Sequence, residues 1–77
     1  PANHTSLVIS LDDLPARILR RAGYSIERSL YADESQTRAY AKSKGIPFLI
    51  TDRGLEPLQA NHPLHAELIA LLSGQYA

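Results

Sequence analysis

The chain has 77 residues, 44% of them apolar and 21% charged, a balance that suits a globular domain and excludes a disordered polar tail. Eight Lys and Arg stand against eight Asp and Glu, so the net charge is zero and a bulk electrostatic binder of nucleic acid is disfavoured. There is no cysteine, which removes disulfides, thiolate catalysis and cysteine-ligated zinc, and no apolar run approaches the ~20 residues of a membrane span.

A chain this short buries only about 60–65% of its unfolded surface. One small domain over residues 1–77 is expected, cut from a longer protein, since the sequence starts at Pro1 and contains no methionine. With no signal peptide, repeat or low-complexity tract, a soluble, cytoplasmic origin is the expectation.

Residues 1–5 are polar and expected to fray. Residues 6–11 (SLVISL) form a short apolar run and a first strand. Asp12 and Asp13 end it and offer a helix N-cap. Leu14 and Pro15 then fall in the first helical turn, where the missing proline N–H costs nothing. Leu14, Ile18, Leu19 and Ala22 share one face, Arg17, Arg20 and Arg21 lie off it, and Gly23 stops the helix.

Residues 24–31 (YSIERSLY) alternate. Tyr24, Ile26, Arg28 and Leu30 share one face, and the other face is mostly polar, as on an edge strand. Arg28 interrupts the apolar face; its stem is expected to pack while its head reaches solvent at the strand end. Asp33 or Ser35 caps a second helix over 36–44, weakly apolar and therefore superficial, with Lys42 and Lys44 in the last turn. Gly45 closes it.

Residues 46–50 (IPFLI) are an unbroken apolar run, the pattern of a strand covered on both faces. Residues 51–54 read as a turn. Residues 55–60 (LEPLQA) read as a short strand or extended segment, held to an edge by Pro57. After a break at 61–63, Leu64, Leu68, Leu71 and Leu72 fall at i, i+4, i+7 and i+8, the clearest amphipathic helix in the chain, which Gly74 is expected to stop.

Right-handed crossovers make the first three strands parallel in the order 2-1-3. The expected fold class is α/β. Three helices cover both faces of a small central, mostly parallel sheet, giving three layers, with room for one extra short edge strand.

In such a sheet, ligands gather beyond the carboxyl ends of the strands, where the strand order reverses. Asp12, Asp13, Asp33, Glu34 and Asp52 all follow strands there. They are either helix caps or an oxygen-only site for magnesium or manganese. The segment LDDLP with a later TD loosely resembles metal-dependent nucleases of the PIN type. His62 and His65 are three apart, but no third ligand is in view, so no metal centre is expected from them. Ile46-Pro47 at the head of the central strand resembles the thioredoxin-like fold, which without cysteine would serve as a protein-interaction domain.

The stretch RRAGYSIERSLYADESQTRAYAKSKGIPFLI, about the middle half of the chain, resembles the anticodon-binding domain of class II aminoacyl-tRNA synthetases of the histidyl and threonyl type. Four segments carry the resemblance. They are Arg20-Arg21-Ala22-Gly23, Ile26-Glu27, Tyr40-Ala41 and Gly45-Ile46-Pro47-Phe48. The closing HAELIALL fits the family's last helix. The resemblance implies a non-catalytic RNA-binding or regulatory module, with no cofactor, whose partner is tRNA, another protein or the remainder of a larger chain, and not a membrane. It implies nucleic-acid contacts from Arg28, Gln36, Arg38 and Arg53, arginine on phosphate giving affinity and base edges giving specificity. The PIN-like nuclease and the cysteine-less thioredoxin-like interaction domain remain the alternatives.

Overall fold

The structure, a computed structural model, describes residues 5–76. The expected fraying falls mostly on residues 1–4, outside that range; Thr5 is exposed. The elements in order are β1 (Val8–Ser10), α1 (Asp13–Arg21), β2 (Ile26–Arg28), α2 (Glu34–Lys44), β3 (Phe48–Thr51), β4 (Gly54–Pro57) and α3 (His65–Tyr76). None of the described helices is long and apolar enough to cross a membrane.

The sheet order is β2-β1-β3-β4. Parallel pairing sets Val8 beside both Ile26 and Phe48, and Ser10 beside both Arg28 and Ile50. β4 returns antiparallel, with Thr51 opposite Gly54 and Phe48 opposite Pro57. The fold is therefore α/β, but the sheet is mixed and four-stranded, where a mostly parallel one was expected. The cause is the two-residue Asp52-Arg53 turn. Gly54 follows it at φ 110°, so the chain reverses at once and adds a hairpin strand, with no crossover helix. Pro57 sits at the end of this edge strand, where its missing donor is harmless.

β3 is buried along its whole length, which is why its sequence does not alternate. Val8, Ile26, Phe48 and Ile50 face Ala16 and Leu19 of α1 and Leu68 of α3. Ile9 and Leu49 face the other way, onto Ala41 of α2 and onto Ile46. Each fully buried aliphatic or aromatic side chain contributes about 1.5–3 kcal/mol, so these two small clusters carry most of the favourable energy.

The ends of the elements depart from the periodic reading in three places. β2 stops at Arg28, and Leu30, expected on its apolar face, is 93% exposed. The next residue, Ser29, turns the chain: its hydroxyl donates to the Tyr31 carbonyl, accepts from the Tyr31 N–H and shares a 2.6 Å hydrogen bond with buried Thr37. α2 buries Thr37 and Ala41, while Ala39 is exposed. α3 runs through Gly74 to Tyr76; Gly74 keeps a negative φ and acts as an ordinary helical residue there. Gly45 behaves as expected, closing α2 at φ 73° with the Ile46 N–H donating to the Ala41 carbonyl at 2.9 Å.

Candidate binding cleft at the carboxyl edge of the sheet

The three parallel strands end on one edge, and each loop leaving that edge is acidic. Asp12 holds the N-cap position of α1, but its carboxylate makes no cap bond. Buried Ser10 pins the Asp12 backbone instead: its hydroxyl donates to the Asp12 carbonyl at 2.7 Å and accepts from the Asp12 N–H at 3.1 Å. Asp33 is a true cap, accepting from the Ser35 N–H at 2.9 Å and from its hydroxyl at 3.0 Å.

The remaining carboxylates are taken by arginines. Arg28 donates from Nε to Asp13 Oδ1 and from Nη1 to the Ser10 carbonyl, both at 3.1 Å. Its head is tied to the first βα turn and, with the side chain 39% exposed, still reaches solvent at the strand end, as expected. Glu34 Oε2 accepts from Arg53 at 2.6 Å and from Arg38 at 2.8 Å. Arg38 also grips both oxygens of Glu56, at 3.1 and 2.6 Å, and Arg53 reaches Asp52 at 3.4 Å. The result is one chain of charges, Asp52–Arg53–Glu34–Arg38–Glu56, that clamps the β3–β4 hairpin to α2. Arg53 and then Arg38 hold the Glu34 carboxyl below the ordinary glutamate range. The Glu56 and Glu34 carboxylates in turn raise Arg38, and Glu34 raises Arg53.

A pH dependence follows from the clamp. A carboxylate with a lowered folded pKa adds stability that is fully present above its unfolded value and lost as pH falls through the folded one. Glu34→Gln is therefore expected to lower the urea midpoint at neutral pH. The gap to the wild type should close below about pH 4, the unfolded glutamate value being about 4.3. High salt should narrow the gap at pH 7, because the groups are near the surface. No gap at pH 7, or a gap that is constant from pH 7 to pH 3, would show that the Glu34 charge adds no stability.

Of the four residues expected to meet nucleic acid, Arg38 and Arg53 share this chain of charges and Arg28 stands apart on Asp13. Gln36 is exposed on α2 and makes no hydrogen bond among the described residues. His62 and His65 pack on the buried Phe48 ring, with centroids 4.9 and 5.7 Å away, and His62 Nδ1 accepts from the Leu64 N–H. They act as core-covering rings. Among the described residues no three His, Asp or Glu side chains converge closely enough to hold a metal ion. Asp13 and Glu34 are each paired with arginine.

The edge does hold an open cleft of about 700 Å³ between the start of α1, the β3–β4 hairpin and α3. Ile50, Leu55, Leu72 and Pro15 give it an apolar lining, and Leu14 and Ile69 stand at its sides. Those two are 52% and 44% exposed, and both line the cleft. Asp12, Asp13, Asp52 and Arg53 form the polar rim. Thr51 and Ser73 add hydroxyls to a lining that is part apolar and part polar. The sequence placed a site at this edge of the sheet but not the apolar walls, which come from three distant segments. One signal was present: Ile69 is a large aliphatic residue of α3 that stands off the Leu64, Leu68, Leu71 and Leu72 stripe.

No family model, no curated protein and no solved structure matches the chain.

Proposed function

We propose that this chain is a non-catalytic interaction module that holds a segment of another protein in the cleft between α1, α3 and the hairpin. The observation that carries the reading is the pair of half-exposed apolar side chains, Leu14 and Ile69, flanking an apolar trough at the point where the strand order reverses. Leaving them in water forgoes burial energy, and a partner's apolar side chain would recover it. The rim supports protein over RNA. A phosphate backbone would meet Asp12, Asp13 and Asp52 there, and the charges of Arg28, Arg38 and Arg53 are already offset by adjacent carboxylates. This keeps the regulatory half of the anticodon-binding resemblance and sets its RNA-binding half second.

Selection of a random peptide library on the immobilised chain tests this. Enriched peptides should shift the amide resonances of Leu55 and Ile69, and should lose binding in Ile69→Asp. Because Ile69 is exposed, that variant should keep its fold, checked by circular dichroism. The reading fails if no peptide enriches. It also fails if an unstructured oligoribonucleotide binds with strong salt dependence and shifts Arg28, Arg38 and Arg53 instead.

A further inference from the structure

The charges around the cleft narrow the chemistry of its occupant, and the inference rests on the interaction reading above. Asp12, Asp13 and Asp52 oppose a single cation, Arg53, on the cleft's rim. Asp13 is held by Arg28 and Arg53 by Glu34, whereas the Asp12 carboxylate has no hydrogen bond or ion pair among the described residues. The open charge at this mouth is therefore negative. Leu14 has a second role. It also lines a shallow depression of about 110 Å³ with Arg17, Ile18 and Arg21, along the outward face of α1. Arg17 and Arg21 make no ion pair among the described residues, unlike Arg28, Arg38 and Arg53, so the open charge at this end is positive.

A continuous strip thus runs from the cleft over Leu14 to the last turn of α1, acidic at one end, apolar in the middle and basic at the other. Its apolar middle is Leu14, Ile18 and Ile69. From Leu14 to Arg21 the helix rises about 10 Å at 1.5 Å per residue. An extended segment covers that distance in about three residues at ~3.3 Å each. We infer that the partner is a dipolar protein segment. Its apolar anchor seats between Leu14 and Ile69, a lysine or arginine beside it meets Asp12, and an acidic residue about three positions away meets Arg17 and Arg21. A polyanion would gain at Arg17 and Arg21 but be repelled at the mouth of the cleft, so neither a nucleic acid nor an anionic membrane suits the whole strip. A wholly basic or wholly acidic peptide is likewise repelled at one end, which makes the strip selective by charge order as well as by shape.

The test uses the whole chain and a short synthetic peptide carrying an arginine, a leucine anchor and a glutamate at this spacing. Two variants replace the arginine or the glutamate by glutamine. The arginine change is expected to weaken binding about threefold to fivefold, the size of one exposed ion pair, on the wild type and not on Asp12→Asn. The glutamate change should weaken it by a similar factor on the wild type and not on Arg17→Gln/Arg21→Gln. All the substituted side chains are exposed, so the fold should survive in every variant. If the doubly neutral peptide binds as tightly as the charged one and still shifts Ile69, the dipolar inference is wrong and the interaction reading stands. If no peptide of the set binds and the random-library selection also yields nothing, both fall.

Discussion

Phe48→Ala is expected to abolish cooperative folding, or to leave a transition so weak that it lies at the lowest urea concentrations. Phe48 is fully buried in β3, next to Val8 of β1 and opposite Pro57 of β4. Its ring joins Ala16, Leu19 and Leu68 from both helices on that face and carries His62 and His65 on its outer side. Removing a buried phenylalanine costs about 3–5 kcal/mol through lost transfer energy and the cavity left behind. A chain of this length has a total stability of about 4–12 kcal/mol, at 0.05–0.15 kcal/mol per residue. The loss is therefore a large share of the whole, and thermal unfolding should move down by at least about 12 °C. Urea titration followed by circular dichroism decides the matter. A loss under about 1 kcal/mol would mean that the cluster repacks around the gap and that β3 is not its keystone.

β3 is also the element most readable from sequence, for the same physical reason. Its apolar run is too short for a helix and is bounded by turn residues, and Gly45 marks where it can begin. The parallel neighbours β1 and β2 were legible from short apolar runs separated by helix-length segments. The end of β2 was not. It is set by a hydrogen bond between Ser29 and Thr37, eight residues apart, and no local pattern announces that bond. The hairpin was legible only as an optional edge strand, because a turn's direction depends on the backbone angles at Gly54 and not on the composition of the turn.

The site was less legible than the fold. The carboxylates were placed correctly at the strand ends, yet their role depends on which cation reaches each one. Arg53 meets Glu34 across nineteen positions, and Arg38 meets Glu56 across eighteen. Read one at a time, Arg28, Arg38 and Arg53 look like free guanidiniums available to phosphate; folded, each has a carboxylate at hydrogen-bond distance. Arg17 and Arg21, which lie off the apolar face of α1, make no ion pair among the described residues. The same holds for the cleft. Leu14 looked like part of the buried stripe of α1, but that stripe is Pro15, Ala16 and Leu19, and Leu14 falls on its margin.

Leu68→Ala should separate the cleft from the rest of the molecule. Leu68 is the one fully buried side chain of α3 among the described residues, with Leu71 and Leu72 only partly covered. α3 supplies Ile69, Leu72 and Ser73 to one wall of the cleft, while the sheet and α2 are held together by a second cluster that Leu68 does not enter. Leucine to alanine in a core costs about 2–5 kcal/mol. Because Leu68 is the deepest anchor of α3 among the described residues and its neighbours Leu71 and Leu72 are only partly covered, much of that loss is expected to appear as local release of the helix before global unfolding. Hydrogen exchange should then show α3 amides losing protection while β1, β3 and α2 keep theirs, and a peptide selected on the wild type should no longer bind. Uniform loss of protection across all elements would show instead that α3 and the sheet form one cooperative unit. Peptide binding that survives the release of α3 would place the binding surface elsewhere, since a cleft with one wall gone cannot hold an anchor between Leu14 and Ile69.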